Sequence, residues 1–154
     1  MSGSTAIDRL DYVSAIVVAA GLPYTKLSPP KWWSAFTTHH AAPTVTPDSR
    51  WELGHAIGSQ FGGPQTSDNV IPQYGIVNRS PWETCEKRIA DALACGGCVE
   101  IHVWVTYSGT QPIKPLKFHL KATGLGAAKD EVDIDEEIDN VYSPRPKIPP
   151  DCML

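Results

Sequence analysis

Between Arg50 and Glu86 the chain reads RWELGHAIGSQFGGPQTSDNVIPQYGIVNRSPWETCE, a stretch that carries residues suited to one reaction. His55, flanked by Gly54 at the end of a short extended run, can act as a general base, because a neutral imidazole accepts a proton near pH 7. Asn78 offers a hard amide oxygen of the kind that Mg2+ accepts while keeping several waters. Together they could activate water against a phosphodiester, whose hydrolysis needs a base, positive charge at the non-bridging oxygens and a stabilised leaving oxygen. One histidine and one asparagine so far apart are also compatible with a core or capping histidine. Glu86, two turns beyond Asn78, could look back toward such a site; spacing alone favours a solvated glutamate paired with Lys87.

The elements that must position these groups follow from the pattern around them. A loop rich in glycine and small polar residues runs from Gly58 to Asn69, and Val70-Ile71-Pro72 forms a brief apolar run. Ser80-Pro81-Trp82-Glu83 predicts a helix start, with serine as N-cap and proline at the first position. That helix should run from Pro81 to Ala94 with Trp82, Cys85, Ile89 and Leu93 buried. Val99, Ile101, Val103 and Val105 alternate with Glu100, His102, Trp104 and Thr106, the period of a half-buried strand. Ser108-Gly109-Thr110 turns it, and Leu116, Phe118 and Leu120 return with Lys117, His119 and Lys121 on the outer face.

Toward the N-terminus, residues 5–20 place Ala6, Leu10, Val13, Val17 and Ala20 on one stripe and predict an amphipathic helix. Residues 22–49 are proline-rich and irregular. Within them, Lys31-Trp32-Trp33 reads as a core anchor or a base-stacking platform, and His39-His40 as a loop pair lacking further metal ligands. Toward the C-terminus, acids alternate with Val and Ile from Asp130 to Asp139, suggesting a short edge strand or an amphipathic segment. A proline-rich extended end follows from Pro144 to Pro150.

Composition bounds the classes. The 154 residues, 42% of them hydrophobic and five of them tryptophan, suffice for one domain with its own core. Residues 130–154 hold eight acids against two bases, leaving nine against eleven in residues 1–129. The body is thus near neutral and lacks the basic stripe of a high-affinity nucleic-acid binder, while an enzyme aided by a cation is compatible with it. No window approaches the ~18 apolar residues of a membrane span, so no membrane partner is expected. Met1 to Ser4 carry no basic n-region, which predicts synthesis in the cytoplasm without a signal peptide and leaves a signal-independent secretion system as a route out. The four cysteines are expected as reduced thiols, and Cys95-Gly96-Gly97-Cys98 reads as a helix stop rather than a redox or zinc site.

Gly54-His55-Ala56-Ile57-Gly58, Phe61-Gly62-Gly63, Asp68-Asn69-Val70-Ile71-Pro72-Gln73 and Val77-Asn78-Arg79-Ser80-Pro81-Trp82-Glu83-Thr84-Cys85-Glu86, in that order, resemble the DNA/RNA non-specific endonuclease family. More narrowly they are similar to nuclease domains of bacterial polymorphic toxins, and Val99 to Tyr107 with Ser108-Gly109 extends the likeness over about residues 50–121. The resemblance implies an α+β fold with a ββα-metal (His-Me finger) core, an antiparallel sheet and flanking helices. It implies His55 as general base, Asn78 as ligand of one divalent cation (Mg2+), Glu86 as the residue orienting water, Asn69 as a loop-fixing residue and Arg79 as a phosphate contact. Leu53 stands where the family has arginine, so Arg50 or Arg79 would have to supply that charge. The implied organisation is one domain: residues 1–49 as N-terminal helix and irregular segment, 50–121 as core and hairpin, 122–154 as acidic and Pro-rich tail. A sequence-non-specific endonuclease of DNA or RNA, acting as a toxin effector with an immunity protein as partner, is the function implied. The alternative is a degenerate nuclease fold used as a binding module.

Overall fold

The computed structural model describes residues 10–22, 29–40, 49–109 and 114–153. Four antiparallel strands form the main sheet in the order β1-β4-β5-β6: β1 Tyr12–Val17, β4 Cys98–Tyr107, β5 Pro115–Leu125 and β6 Asp133–Asp139. A separate hairpin pairs β2, Trp51–His55, with β3, Val70–Tyr74. The helices are α1, Trp33–His39, and a continuous rod made of α2, Gly75–Val77, a π-turn over Asn78–Trp82, and α3, Glu83–Leu93. Among the described residues no helix is long and apolar enough to cross a membrane.

The β4–β5 hairpin follows its alternation. Val99, Ile101, Val103, Phe118 and Leu120 are buried, while Leu116 at the start of β5 is exposed. Trp82 packs edge-on against Phe118 with ring centroids 5.5 Å apart, which joins the rod to the inner face of the sheet. Burial of each such side chain stabilises the fold by ~1.5–3 kcal/mol. Cys85, Ile89 and Leu93 complete the expected buried face of α3. The small hairpin is tied to the sheet by buried Asn140. Its Oδ1 accepts from Tyr74 N at 3.1 Å, and its Nδ2 donates to Pro72 O at 3.2 Å and Pro115 O at 3.0 Å. Cross-strand stacking of Trp51 on Tyr74, 4.1 Å between centroids, closes the hairpin at the end far from His55.

Three expectations are corrected. The stretch expected as an N-terminal helix over residues 5–20 contains strand β1, in register with β4 from Tyr12 opposite Trp104 to Val17 opposite Val99. Val13 and Val17 are four apart, which suits one helix face and one strand face equally. The β-branched and aromatic run Tyr12-Val13, Ile16-Val17 then favours the strand that β4 can pair. The rod also begins earlier than Ser80, with Tyr74 as its extended N-terminal boundary. Pro81 lies inside it, where the wider π-turn accommodates a ring that has no N–H to donate. Finally, the cysteines are not all thiols: Cys85 and Cys152, 67 residues apart, form a disulfide between α3 and the tail.

Other expectations hold in particular places. Gly96 and Gly97 adopt φ of +87° and +78° just after α3 and stop it, while Cys95 and Cys98 are free. The acidic segment is the edge strand β6. Trp32 is buried against Phe36, which favours the anchor reading. The side chain of His39, the start of the expected helix, parts of the Pro-rich segment and the tip of the 108–114 turn lie outside the described residues.

Candidate active site

Two elements converge on one cleft. Strand β2 ends at His55, 8% exposed, and the loop after it is braced by Asn69. Asn69 Oδ1 accepts from Ile57 N at 2.8 Å, while its Nδ2 donates to Ile57 O at 2.8 Å and Pro64 O at 3.1 Å. Asn69 is therefore held as a loop-fixing residue. The π-turn supplies Asn78 and Arg79, and the first turns of α3 supply Glu83 and Glu86. Leu53, His55, Asn78, Arg79, Glu83 and Glu86 line a cleft of about 310 Å³.

Polar contacts orient the set. Asn78 Nδ2 donates to Glu52 Oε1 at 3.0 Å, and Arg79 Nε meets Glu52 Oε2 at 3.3 Å. With Nδ2 so committed, Asn78 Oδ1 makes no hydrogen bond among the described residues. His55 Nε2 is 2.9 Å from Gln65 Oε1. Glu86 keeps only partial solvent contact along the cleft; burial, and then the neighbouring Glu83, push its carboxyl up from the usual 4.5 to about 7. Gly58 makes room for it, since a Cβ there would stand 2.4 Å from Glu86 Oε2.

His55, Asn78, Arg79 and Glu86 are thus brought together, and Arg50 is not. Arg50 precedes β2 at the end opposite His55, and its carbonyl accepts from Gly75 N at 2.8 Å. Leu53, in the place of the expected arginine, lines the cleft without charge. Sequence reasoning missed Glu52, Gln65, Gly58 and Glu83. An acid inside the short apolar run Trp51-Glu52-Leu53 was a signal for the first, whereas nothing in the sequence singled out Gln65.

Among the described residues no three His, Cys, Asp or Glu side chains group to hold a metal. Besides the His55 imidazole, the cleft is lined by hard oxygen donors, among them the Asn78 amide and the Glu83 and Glu86 carboxyls. Such a set fits a cation that keeps most of its water, as Mg2+ does, rather than one needing a closed shell of nitrogen or sulfur.

A two-stranded hairpin ending in a histidine, followed by a helix bearing asparagine and glutamate, defines a ββα-metal core within an α+β chain. The DNA/RNA non-specific endonuclease family matches residues 7–124, and the chain belongs to that family. It is accordingly an endonuclease, a hydrolase acting on nucleic acid. Two solved structures share the fold, both of NucA from Streptococcus agalactiae at 16% identity and covering 88% of this chain. The one with magnesium ion bound has a TM-score of 0.61 and is covered over 70% of its own length. The one with no metal bound has a TM-score of 0.58 and is covered over 68%. No curated protein matches in sequence.

Proposed function

We propose that the chain is a cation-dependent endonuclease that cleaves DNA and RNA without sequence preference. The observation that carries this reading is that His55, Asn78, Arg79 and Glu86 line one cleft. His55 takes the proton of the attacking water. Asn78 would hold the cation through its amide oxygen, its orientation set by Glu52. When bound, that cation would neutralise phosphate charge and stabilise the leaving oxygen. Glu86 orients water in the cleft, and Arg79, held through Nε by Glu52, meets a non-bridging phosphate oxygen. The magnesium bound by NucA supports the choice of Mg2+.

The similarity of residues 50–121 to toxin nuclease domains supports a role as a toxin effector, exported by a signal-independent route and restrained in its producer by an immunity protein. Expression inside bacteria should then be toxic, and His55→Ala should relieve the toxicity.

The test is cleavage of plasmid and of RNA by the purified chain with Mg2+, Mn2+ or EDTA, alongside His55→Ala and Asn78→Ala. Loss of a general base lowers the rate by about 10²- to 10⁴-fold. Both variants should fall by at least two orders, and EDTA should abolish cleavage. Folded protein that cleaves nothing with any cation would transfer the reading to a binding module with Leu53 as its mark.

A further inference from the structure

We infer that the open edge of β1 is a self-association surface, on which a second copy of this chain pairs its own β1 antiparallel about a two-fold axis at Ser14.

The backbone comes first. β1 lies at one end of the main sheet, and among the described residues no strand but β4 pairs with it. Val105 N donates to Asp11 O at 2.9 Å, and the register sets Val13 opposite Val103 and Ala15 opposite Ile101. Bonded pairs alternate along an antiparallel ladder, so Asp11, Val13 and Ala15 turn their N–H and C=O toward β4. Tyr12, Ser14 and Ile16 therefore turn theirs outward, where no strand among the described residues meets them. Such an edge is a template for another strand, and native proteins commonly blunt it with lysine, proline or a bulge. From Tyr12 to Val17 the strand has none of these and no charge.

The side chains select a copy of the same strand as the occupant. Those of Tyr12 and Ile16 stand on the outer face of the sheet, 44% and 61% exposed. With Ser14 opposite Ser14 of the partner subunit, Tyr12 falls opposite the partner's Ile16, and Ile16 opposite the partner's Tyr12. Two aromatic–β-branched pairs then flank one hydroxyl pair, contacts of the kind that stabilise a sheet. Tyr12 is already held, its ring 5.2 Å from that of Trp104 and its hydroxyl 2.6 Å from His102 Nδ1, so it loses little freedom on pairing. Charge favours the same edge. The acids of β6 lie at the opposite end of the sheet, where edge-to-edge pairing would set acid against acid.

The product joins two four-stranded sheets into one, with β1 and its copy at the centre. The two-fold axis is normal to the sheet, so α3 of both copies lies on one side and both clefts open toward the same face. Neither cleft is covered, and the inference stands whether or not the cleft cleaves nucleic acid.

The test is sedimentation equilibrium of the full chain from about 1 μM to about 300 μM, because a short edge interface holds on the order of micromolar. The mass should rise from 16.7 kDa toward twice that value. Ser14→Lys and Ser14→Asp each set like charges across the axis and should weaken association by about 10-fold or more. An equimolar mixture of the two should associate again, since lysine then faces aspartate. Ile16→Lys, on the same exposed face, should weaken the dimer likewise, and circular dichroism checks that each variant is folded. A wild-type mass of 16.7 kDa across the whole range would overturn the inference. So would a dimer that folded Ser14→Lys and Ile16→Lys leave intact, or a mixture no more associated than its components.

Discussion

Glu52 reaches the first two residues of the π-turn at once: Oε1 accepts from Asn78 Nδ2 at 3.0 Å and Oε2 from Arg79 Nε at 3.3 Å. A single carboxylate on β2 thus sets the rotation of the amide whose oxygen is left for the cation. Glu52→Leu should free that rotation and weaken Mg2+ dependence by about 10- to 100-fold, the usual scale for removing a partner that orients a metal ligand. Glu52→Gln, which can still accept from Asn78, should be much milder. Cleavage rate against Mg2+ concentration distinguishes them, and equal curves for the two variants would remove Glu52 from this role.

The Glu86 carboxyl ties folding stability to pH. Burial, aided by Glu83, raises its folded value to about 7 from 4.5, so the native state holds a proton that the unfolded state has released across that window. Stability therefore declines as pH rises from 4.5 to 7, and the penalty is complete above 7. In EDTA, Glu86→Gln should melt roughly 3–6 °C above wild type at pH 8 and close to it at pH 4, while its cleavage rate falls. Thermal denaturation from pH 4 to 8 gives the answer, and parallel curves would mean the carboxyl is not strained by its surroundings.

Gly58→Ala should displace the same carboxyl, because the new methyl would fall 2.4 Å from Glu86 Oε2. Misplacement of a working group by about 1 Å is enough to lower a rate by ~10²-fold. The expected result is a drop in kcat with the melting temperature changed little, and activity equal to wild type would show that Glu86 need not lie against the loop.

Leu53→Arg would put a cation on the cleft wall two residues before His55. One added phosphate contact should lower KM several-fold and steepen the salt dependence of binding by about one unit of slope. Cleavage measured between low and moderate salt tests it. An unchanged KM would mean that Arg79 already supplies the charge this position lacks.

Reduction of Cys85–Cys152 opens a loop of 67 residues' separation, which by chain entropy removes roughly 4 kcal/mol of stability. Urea denaturation with and without a reducing agent should show that loss, and the paired Cys85→Ala/Cys152→Ala chain should behave as the reduced protein does.

The parts legible in the sequence were those with a single local cause. Alternation over Val99 to Val105 could only suit a strand, and the glycines at 96 and 97 could only end a helix. His55 and Asn78 came from order and residue type, and the fold does bring them to one cleft. Where two periods agree, as for Val13 and Val17, the sequence could not choose, and the partner strand β4 decided. Proline is common at a helix start, so Pro81 points to one; the π-turn that holds it inside the rod leaves no local mark in the sequence. The disulfide, Glu52 and Gln65 all act across the chain, and contacts of that kind leave little local trace.

Strand β6 turns Ile134 and Ile138 inward, so Asp133, Asp135, Glu137 and Asp139 all project from the outer face of the sheet, the side away from α3. For a polyanion approaching through water this gives the molecule a front and a back. Lys117 offsets Glu137 and His119 meets Asp135 on this face; the negative charge left over repels the substrate from the sheet and favours encounters on the helix side, where the cleft opens. Salt within a Debye length would blunt that sorting. The acidic strand can thus influence how the enzyme meets nucleic acid without touching it, by making most wrong orientations short-lived.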